Sequence, residues 1–485
     1  MYSETPDIIA FDTKRRLEVL SAEQIKQVQA GTYRLLQEVG VHFPSPRALE
    51  LFADHGADVD LATEIVRLSP DLVDKAMSTA PRSFVLGGRE ERFDMFLDGR
   101  SSYLCTDGCG VHVVDLETRE RRPSRKADVA MMARVSDSLP LIGFFWPLVS
   151  AQDHGRTAPL HECHAGLTST LKHVRGGTTT YAQLAPYIVE MATVVAGSEE
   201  VRRKRPPICA NICTIAPLSQ DQDGIECALI YAEAGIPTSF MAMTTMGSTA
   251  PATPLGALVT GDAEVVSAMV LMQLAYPGAP VFHSVLVSLM HPRFGSYVSD
   301  MSAPLGIMST QLAHAWNVPA LTGGSVSSDA AVIGWQSGTK TGFGSAMIPL
   351  AGSEICGYLG LLDGSMILQP EQLLLDHDAC QHALDIFSEF EFDEADMALD
   401  VIKDVGPRSH FLKQRHTRRH IRDFRLSRLT GQKDDQGKPR DPRDVALEEF
   451  KRLDETHHPK PLSGEVLAEL DRILEAAERE AEKIE

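Results

Sequence analysis

From Leu141 onward the hydrophobic pattern settles into a rhythm. Short apolar runs alternate with loops of Gly, Ser, Thr or Pro, and each loop leads into a longer segment of helical periodicity. The runs are Leu141 to Val149, His173 to Arg175, Ile208 to Ile215, Thr238 to Met243, Val281 to Leu289, Ala320 to Thr322 and Ile355 to Leu362. Brief apolar runs between turn residues read as buried strands, and strands alternating with helices imply parallel pairing through crossover helices. Seven such units suit an α/β chain closed as a (β/α)8 TIM barrel better than an open sheet, with the eighth strand unassigned. The stretch Thr244 to Val266, TTMGSTAPATPLGALVTGDAEVV, reads as a strand end, a long permissive loop and a helix start.

The pattern before and after the rhythm differs. Residues 1–100 read as a helix-rich cap: Ser21 with Gln24 forms a capping box, Gly40 suits a helix C-cap, and Ser69-Pro70 suits an N-cap followed by Pro at the first helical position. A further helix is expected near Pro46 to His55, with short strands at Ser83 to Leu86 and Met95 to Leu97. Residues 101–430 form the expected barrel core, led by a hairpin turning at Asp107-Gly108 and followed by the charge-alternating ETRERR. Residues 431–485 read as a linker and a C-terminal helix. Its stripe of Val466, Leu470, Ile473, Leu474 and Ala477 would dock on the barrel or on a second subunit of a homo-oligomer.

Composition narrows the class. The 485 residues carry a formal net charge of -20, which argues against nucleic acid or an anionic membrane as partner. No run approaches a membrane span, and the start of the chain lacks a signal-peptide pattern, so a cytoplasmic location is expected. The eight cysteines form no CxxC pair, and neither GxGxxG after the first strand nor GxxxxGK[ST] occurs, so no nucleotide cofactor is expected.

In a barrel, the chemistry belongs at the C-terminal strand ends. Those ends carry hydroxyls, amides, glycines and aromatics with few charges, unlike a two-carboxylate hydrolase or a binuclear metal site. Such a lining orients a compact polar substrate while a cofactor supplies the difficult chemistry.

Several long motifs resemble the trimethylamine methyltransferase (MttB) family: MGSTAPATPLG at 246–256 followed by Glu264, ICTIAPL at 212–218, and TDG at 106–108 leading to VHVVDLETRERRPS. PALTGG at 319–324, EQLLLD at 371–376 and HFLKQRHTRRHIR at 410–422 extend the resemblance over nearly the whole chain. The resemblance implies a TIM-barrel enzyme that moves a methyl group from a methylated amine to the Co(I) of a corrinoid carried by a separate protein. Every residue is a standard one, so the chain is similar to the branch without pyrrolysine, for which glycine betaine or a related quaternary amine is the implied substrate. No directly bound metal is implied.

Candidate residues follow from that chemistry. Aromatic faces hold a trimethylammonium head through the ring quadrupole, which singles out Trp146, Tyr181, Phe294, Tyr297, Trp335 and Tyr358. Arg293 would pair a substrate carboxylate. His283 sits on an apolar strand, either turned into the barrel or held as a core histidine. The loops expected to face the corrinoid carry Asp107, Gly108, Asn211, Thr244, Gly247, Gly323 and Gly324. Two alternatives remain open: a zinc-dependent thiol methyltransferase built on His161 and Cys163, and a non-catalytic quaternary-amine binder.

Overall fold

The apolar runs become the staves of a barrel. The computed structural model describes residues 2–108, 110–323, 329–387, 394–423, 427 and 429–484, without the side chain of Tyr297. Its parallel strands are β1 (Ser101–Thr106), β2 (Ile142–Phe145), β3 (His173–Thr178), β4 (Ile208–Cys213), β5 (Thr238–Met246), β6 (Val281–Met290), β7 (Leu321–Thr322) and β8 (Ile355–Leu359). They pair in the order β6-β5-β4-β3-β2-β1-β8-β7. A parallel bridge between His283 and Ala320 returns β7 to β6, with the His283 N–H donating to the Pro319 carbonyl at 3.1 Å. That bridge closes the ring.

Crossover helices follow the strands: α1 (Lys126–Asp137), α2 (Ala158–Ser169), α3 (Ala185–Ala196), α4 (Gln222–Glu233), α5 (Pro254–Ala275), α6 (Ser302–Ala315), α7 (Trp335–Ala351) and α8 (Gln372–Leu384). The unassigned eighth strand is β1, the first in chain order. The expected hairpin at Asp107-Gly108 is therefore corrected: the Asp107 N–H donates to the Leu359 carbonyl at 2.8 Å, continuing the parallel ladder with β8 instead of reversing the chain. The hairpin lies further on, where His112–Val114 pairs with Arg121–Pro123.

Strand alternation separates two cores. Tyr103, Cys105, Phe144, Cys209, Met241, Phe282, Leu321 and Ile355 share the barrel interior. Leu104, Phe145, Val174, Ile212, Ala242 and Val285 face the helices instead. The bottom of the barrel is stoppered by the antiparallel pair Phe84–Leu86 and Met95–Leu97, whose Leu86, Met95 and Leu97 pack into the interior cluster. Each such fully buried side chain is worth about 1.5–3 kcal/mol relative to exposure. The plug leaves the C-terminal end as the way in.

Local signals at the N-terminus hold as capping physics predicts. Ser21 and Gln24 cap the helix Ala22–Glu38 reciprocally, and Ser69 caps Pro70–Met77. At the other end, helix Gly464–Ala481 buries Leu470, Ile473, Leu474, Ala477 and Ala481. The stripe docks on this chain's own barrel, beside α3. Helix α5 is long and apolar enough to cross a membrane, yet 83% of its apolar window is buried inside the fold.

Candidate active site at the barrel mouth

The Thr244 to Val266 stretch builds one side of the mouth. β5 ends at Met246, Gly247 turns with φ 85°, and α5 starts at Pro254. Buried Glu264, nearly three turns into α5, accepts from the Thr214 hydroxyl at 2.5 Å and the Leu218 N–H at 2.8 Å. It thereby pins the TIAPL loop after β4 to α5, joining those two motifs in space. Burial pushes the Glu264 carboxyl up, opposed by these hydrogen bonds.

Above the interior core lies a cavity of about 340 Å3, within the size range of small-ligand sites. Trp146 and Tyr358 supply aromatic walls, Cys213, Met241, Met243 and Met366 sulfur, and Thr245, Ser288, Ser299, Ser302 and Ser365 hydroxyls. Asp107 and Asp329 are the ionisable carboxylates on its wall. Asp107 accepts from the Gly108 N–H at 2.8 Å and from the Ser365 hydroxyl at 2.6 Å. Asp329 accepts from the Ser299 N–H at 3.1 Å and pairs with the Lys340 ammonium. Burial works against its ionisation, but Lys340 and the Ser299 N–H outweigh it and hold the carboxyl below its ordinary range. Cys213 is pushed the other way, chiefly by burial, and stays a thiol.

Two glycines shape the aromatic walls. A Cβ at Gly108 would sit 2.2 Å from Trp146 Cε2, and one at Gly323 only 1.7 Å from Tyr358 Cε2. Each ring lies flat across a backbone that carries no side chain. The Thr106 hydroxyl fixes Trp146 from below, donating to its carbonyl and accepting from its N–H, both at 2.7 Å. Tyr358 owes its inward aim to a register shift between Gly357 and Leu359, where its own φ is 79°. The two rings meet edge to face at 5.4 Å.

Beneath this floor lies Arg175, an inward residue of β3 that is 2% exposed. Its Cζ stands 3.9 Å over the Trp146 ring, and Nη2 donates to Asn211 Oδ1 and, at 2.7 Å, to Ser239 Oγ. Nε and Nη1 have no partner among the described residues. Sequence reasoning passed over Arg175 as part of an apolar run; the signal was an arginine inside a buried strand, just before two glycines. It also missed Met241, Met243, Ser288 and Ser365 as wall residues.

Of the expected site residues, the structure brings Trp146, Tyr358, Asp107 and Gly108 to the cavity. Asn211 lies below it, against Arg175. The others go elsewhere. His283 points outward, where Nε2 donates to Asp262 Oδ1 at 2.7 Å, both groups fully buried, and Asp262 also accepts from Trp316 Nε1 and the Thr32 hydroxyl. It is a core histidine. Thr244 is one residue out of phase with the inward face, and its hydroxyl donates to the Ala257 carbonyl on α5 at 3.1 Å. Tyr181 caps the turn before α3 and faces Arg156 at 5.7 Å, away from the cavity. Trp335 is 89% exposed at the start of α7 and borders a separate surface groove with His382 and Arg443. Arg293 and Phe294 lie on the exposed loop after β6 and stack on each other at 5.2 Å. The Tyr297 backbone pairs with Met290, its side chain outside the described set. Gly324 also lies outside the described residues. Gly323 is packed under Tyr358 instead of facing outward.

His161 and Cys163 do not converge on a zinc site. Cys163 turns into the sheet, where burial pushes its thiol up to about 12. His161 turns toward the C-terminal helix, its Nδ1 accepting from Lys126 Nζ and its Nε2 donating to Glu478, each at 3.0 Å.

A closed parallel barrel with a small, aromatic-walled cavity at its C-terminal mouth is a TIM-barrel enzyme. The profile of the Trimethylamine methyltransferase (MTTB) family matches residues 6–471, and the chain belongs to that family. It is 30% identical over 477 residues to the trimethylamine methyltransferase MttB of Desulfitobacterium hafniense (strain DSM 10664 / DCB-2), covering 95% of this chain and 94% of that one. It is 27% identical over 421 residues to the glycine betaine methyltransferase of Desulfitobacterium hafniense (strain Y51), covering 84% and 86%. Among solved structures, the Methanosarcina barkeri monomethylamine methyltransferase MtmB superposes with a TM-score of 0.50 at 11% identity, covering 92% of this chain and 89% of that one, a likeness of fold. The protein is a methyltransferase, a transferase of one-carbon groups.

Proposed function

We propose that the protein takes a methyl group from a small quaternary amine, glycine betaine or a related betaine, and delivers it to the Co(I) of a corrinoid on a separate protein. The observation that carries this reading is the cavity wall: two aromatic rings, three methionines and two carboxylates, of which Asp329 is tied to Lys340 and Asp107 to the Gly108 N–H and the Ser365 hydroxyl. A quaternary ammonium already contains its neutral leaving amine, so its demethylation needs placement and dryness more than acid–base help. Trp146, Tyr358 and the methionine sulfurs offer polarizable contacts to the methyl groups. Asp107 offers the opposite charge, that of Asp329 being met by Lys340.

The mouth also fits a broad apolar acceptor. Met243, Met290, Phe294 and Met366 stand exposed at the strand ends and on the loops beyond them. Such a rim suits a flat macrocycle carried by a docking protein. When bound, the corrinoid supplies the electron pair that receives the methyl. This chain's residues hold the ammonium, aim one methyl outward and keep water away. A cytoplasmic setting belongs to the same reading, supported by described cysteines that are all unpaired thiols.

The test follows Co(I) absorbance on mixing the protein with reduced cobalamin and a panel of betaines and methylamines. Loss of the Co(I) band with one betaine, and formation of the matching tertiary amine, is expected. Measurable betaine binding without methyl transfer to any cobalamin or corrinoid protein would replace this reading with that of a non-catalytic binder.

A further inference from the structure

The guanidinium of Arg175 is nearly solvent-free, and both of its hydrogen-bond acceptors, Asn211 and Ser239, are neutral. Five N–H groups are available on an arginine, and those on Nε and Nη1 go unused among the described residues. A buried charge without a counter-charge costs several kcal/mol, so its place under an active-site floor calls for an anion. The described walls do not supply one next to it. Asp107 and Asp329 sit on the loops that follow β1 and precede α7, on the mouth side of the strands. The cavity is therefore positive below, with the Asp107 carboxylate on the mouth side and Asp329 held by Lys340.

Arg175 lies one side chain from that cavity by two routes. Its planar head stacks on Trp146, and its partner Asn211 contacts Cys213 Sγ at 3.6 Å; both Trp146 and Cys213 are wall residues.

We propose that Arg175 is the specificity residue of this site, its charge selecting a zwitterion whose carboxylate settles on the floor and whose ammonium therefore points to the mouth. The proposal rests on the quaternary-amine reading and deepens it. The selected orientation presents an N-methyl group outward, where an acceptor can approach. On transfer, the N–CH3 bond breaks with both electrons remaining on nitrogen, which leaves as a neutral tertiary amine. The methyl carbon bonds to the electron pair of the external Co(I), so one bond is lost and one formed. The positive charge below favours that loss of positive charge from the ammonium. A quaternary cation without a carboxylate gains no such partner and meets Arg175 as a like charge.

The experiment compares binding of glycine betaine and tetramethylammonium by calorimetry, with methyl transfer to cob(I)alamin measured in parallel. At a separation of roughly 8 Å and an effective dielectric near 20, the carboxylate attraction corresponds to on the order of 30-fold in affinity. Arg175→Met is expected to lose about that factor for glycine betaine and to bind tetramethylammonium as well or more tightly, with the effect in KM more than in kcat. Arg175→Lys is expected to restore the preference in part, which a merely structural role would not do. Asn211→Asp supplies a counter-charge while keeping the arginine, and is expected to weaken betaine binding in the same direction even where Arg175→Met fails to fold. Retention of the wild-type betaine preference in folded Arg175→Met, or in Asn211→Asp, overturns the proposal. Absence of methyl transfer from every quaternary amine by the wild-type protein instead overturns the reading on which it rests.

Discussion

Gly323 makes the most direct structural prediction. Its ideal Cβ position lies 1.7 Å from Tyr358 Cε2 and 1.9 Å from Cδ2, whereas ordinary van der Waals contact begins at 3.4 Å. In Gly323→Ala the ring must therefore retreat by about 2 Å. It cannot go sideways freely, because Trp146 meets it at 5.4 Å and its backbone is held at φ 79°. The accessible direction is into the cavity. Overpacking of this kind costs about 1–3 kcal/mol. Urea unfolding should show that loss, and the KM for the methyl donor should rise by about tenfold or more as the ring fills the cavity. A double-mutant cycle isolates the cause. In a Tyr358→Ala background the obstacle is gone, and Gly323→Ala should become neutral or stabilising by about 0.5 kcal/mol through the reduced entropy of the unfolded chain. An equal cost of Gly323→Ala in both backgrounds would refute the packing argument.

Three further outcomes concern buried contacts elsewhere in the fold. His173 is fully buried, its Nδ1 donates to the Gly87 carbonyl at 3.0 Å, and burial above all pushes its pKa down to about 4. As pH falls below the unfolded value near 6.5, the unfolded chain takes the proton first, so stability present at pH 7 is lost on acidification, by about 2 kcal/mol at pH 5; urea midpoints for wild type and His173→Gln should converge as pH drops. His283→Leu should destabilise by about 3–5 kcal/mol, because Asp262 loses a fully buried partner, while the folded fraction's KM for the methyl donor stays unchanged; a raised KM would return His283 to the substrate site. Glu264→Ala should release the loop at Thr214 and Leu218, seen as faster amide exchange there, with a stability loss of about 1–3 kcal/mol.

The fold was legible because periodicity is a local signal. Seven apolar runs each predicted a stave, and the crossover helices followed from the spacing. β1 was not legible for a physical reason. Asp-Gly after a short apolar run has the chemistry of a hairpin turn, and only the pairing of the Asp107 N–H with Leu359, some 250 residues away, shows that the chain continues straight. Capping residues such as Ser21 and Ser69 were readable because their partners lie three residues on.

The site was legible as a location and only partly as a set of residues, and strand parity is the reason. A strand's side chains alternate between barrel and helix layer, so a shift of one residue reverses every assignment. On β6 the interior takes Phe282, which leaves His283 for Asp262; on β5 it takes Met243 and Thr245, which leaves Thr244 for α5. Tyr358 is the converse case. Ile355 faces inward and strict alternation would turn Tyr358 out, but the register shift at Gly357 brings it to the cavity. Aromatic residues were sought for their chemistry, and chemistry alone could not separate Trp146, in the floor, from Trp335, in solvent. What separates them is the backbone beneath: Trp146 has Gly108 to lie across and Thr106 to anchor it, whereas Trp335 has only the open first turn of α7. Glycines beside aromatics of the neighbouring strand are thus the sequence feature that would have identified the cavity wall, because each marks where a ring needs the space a Cβ would take.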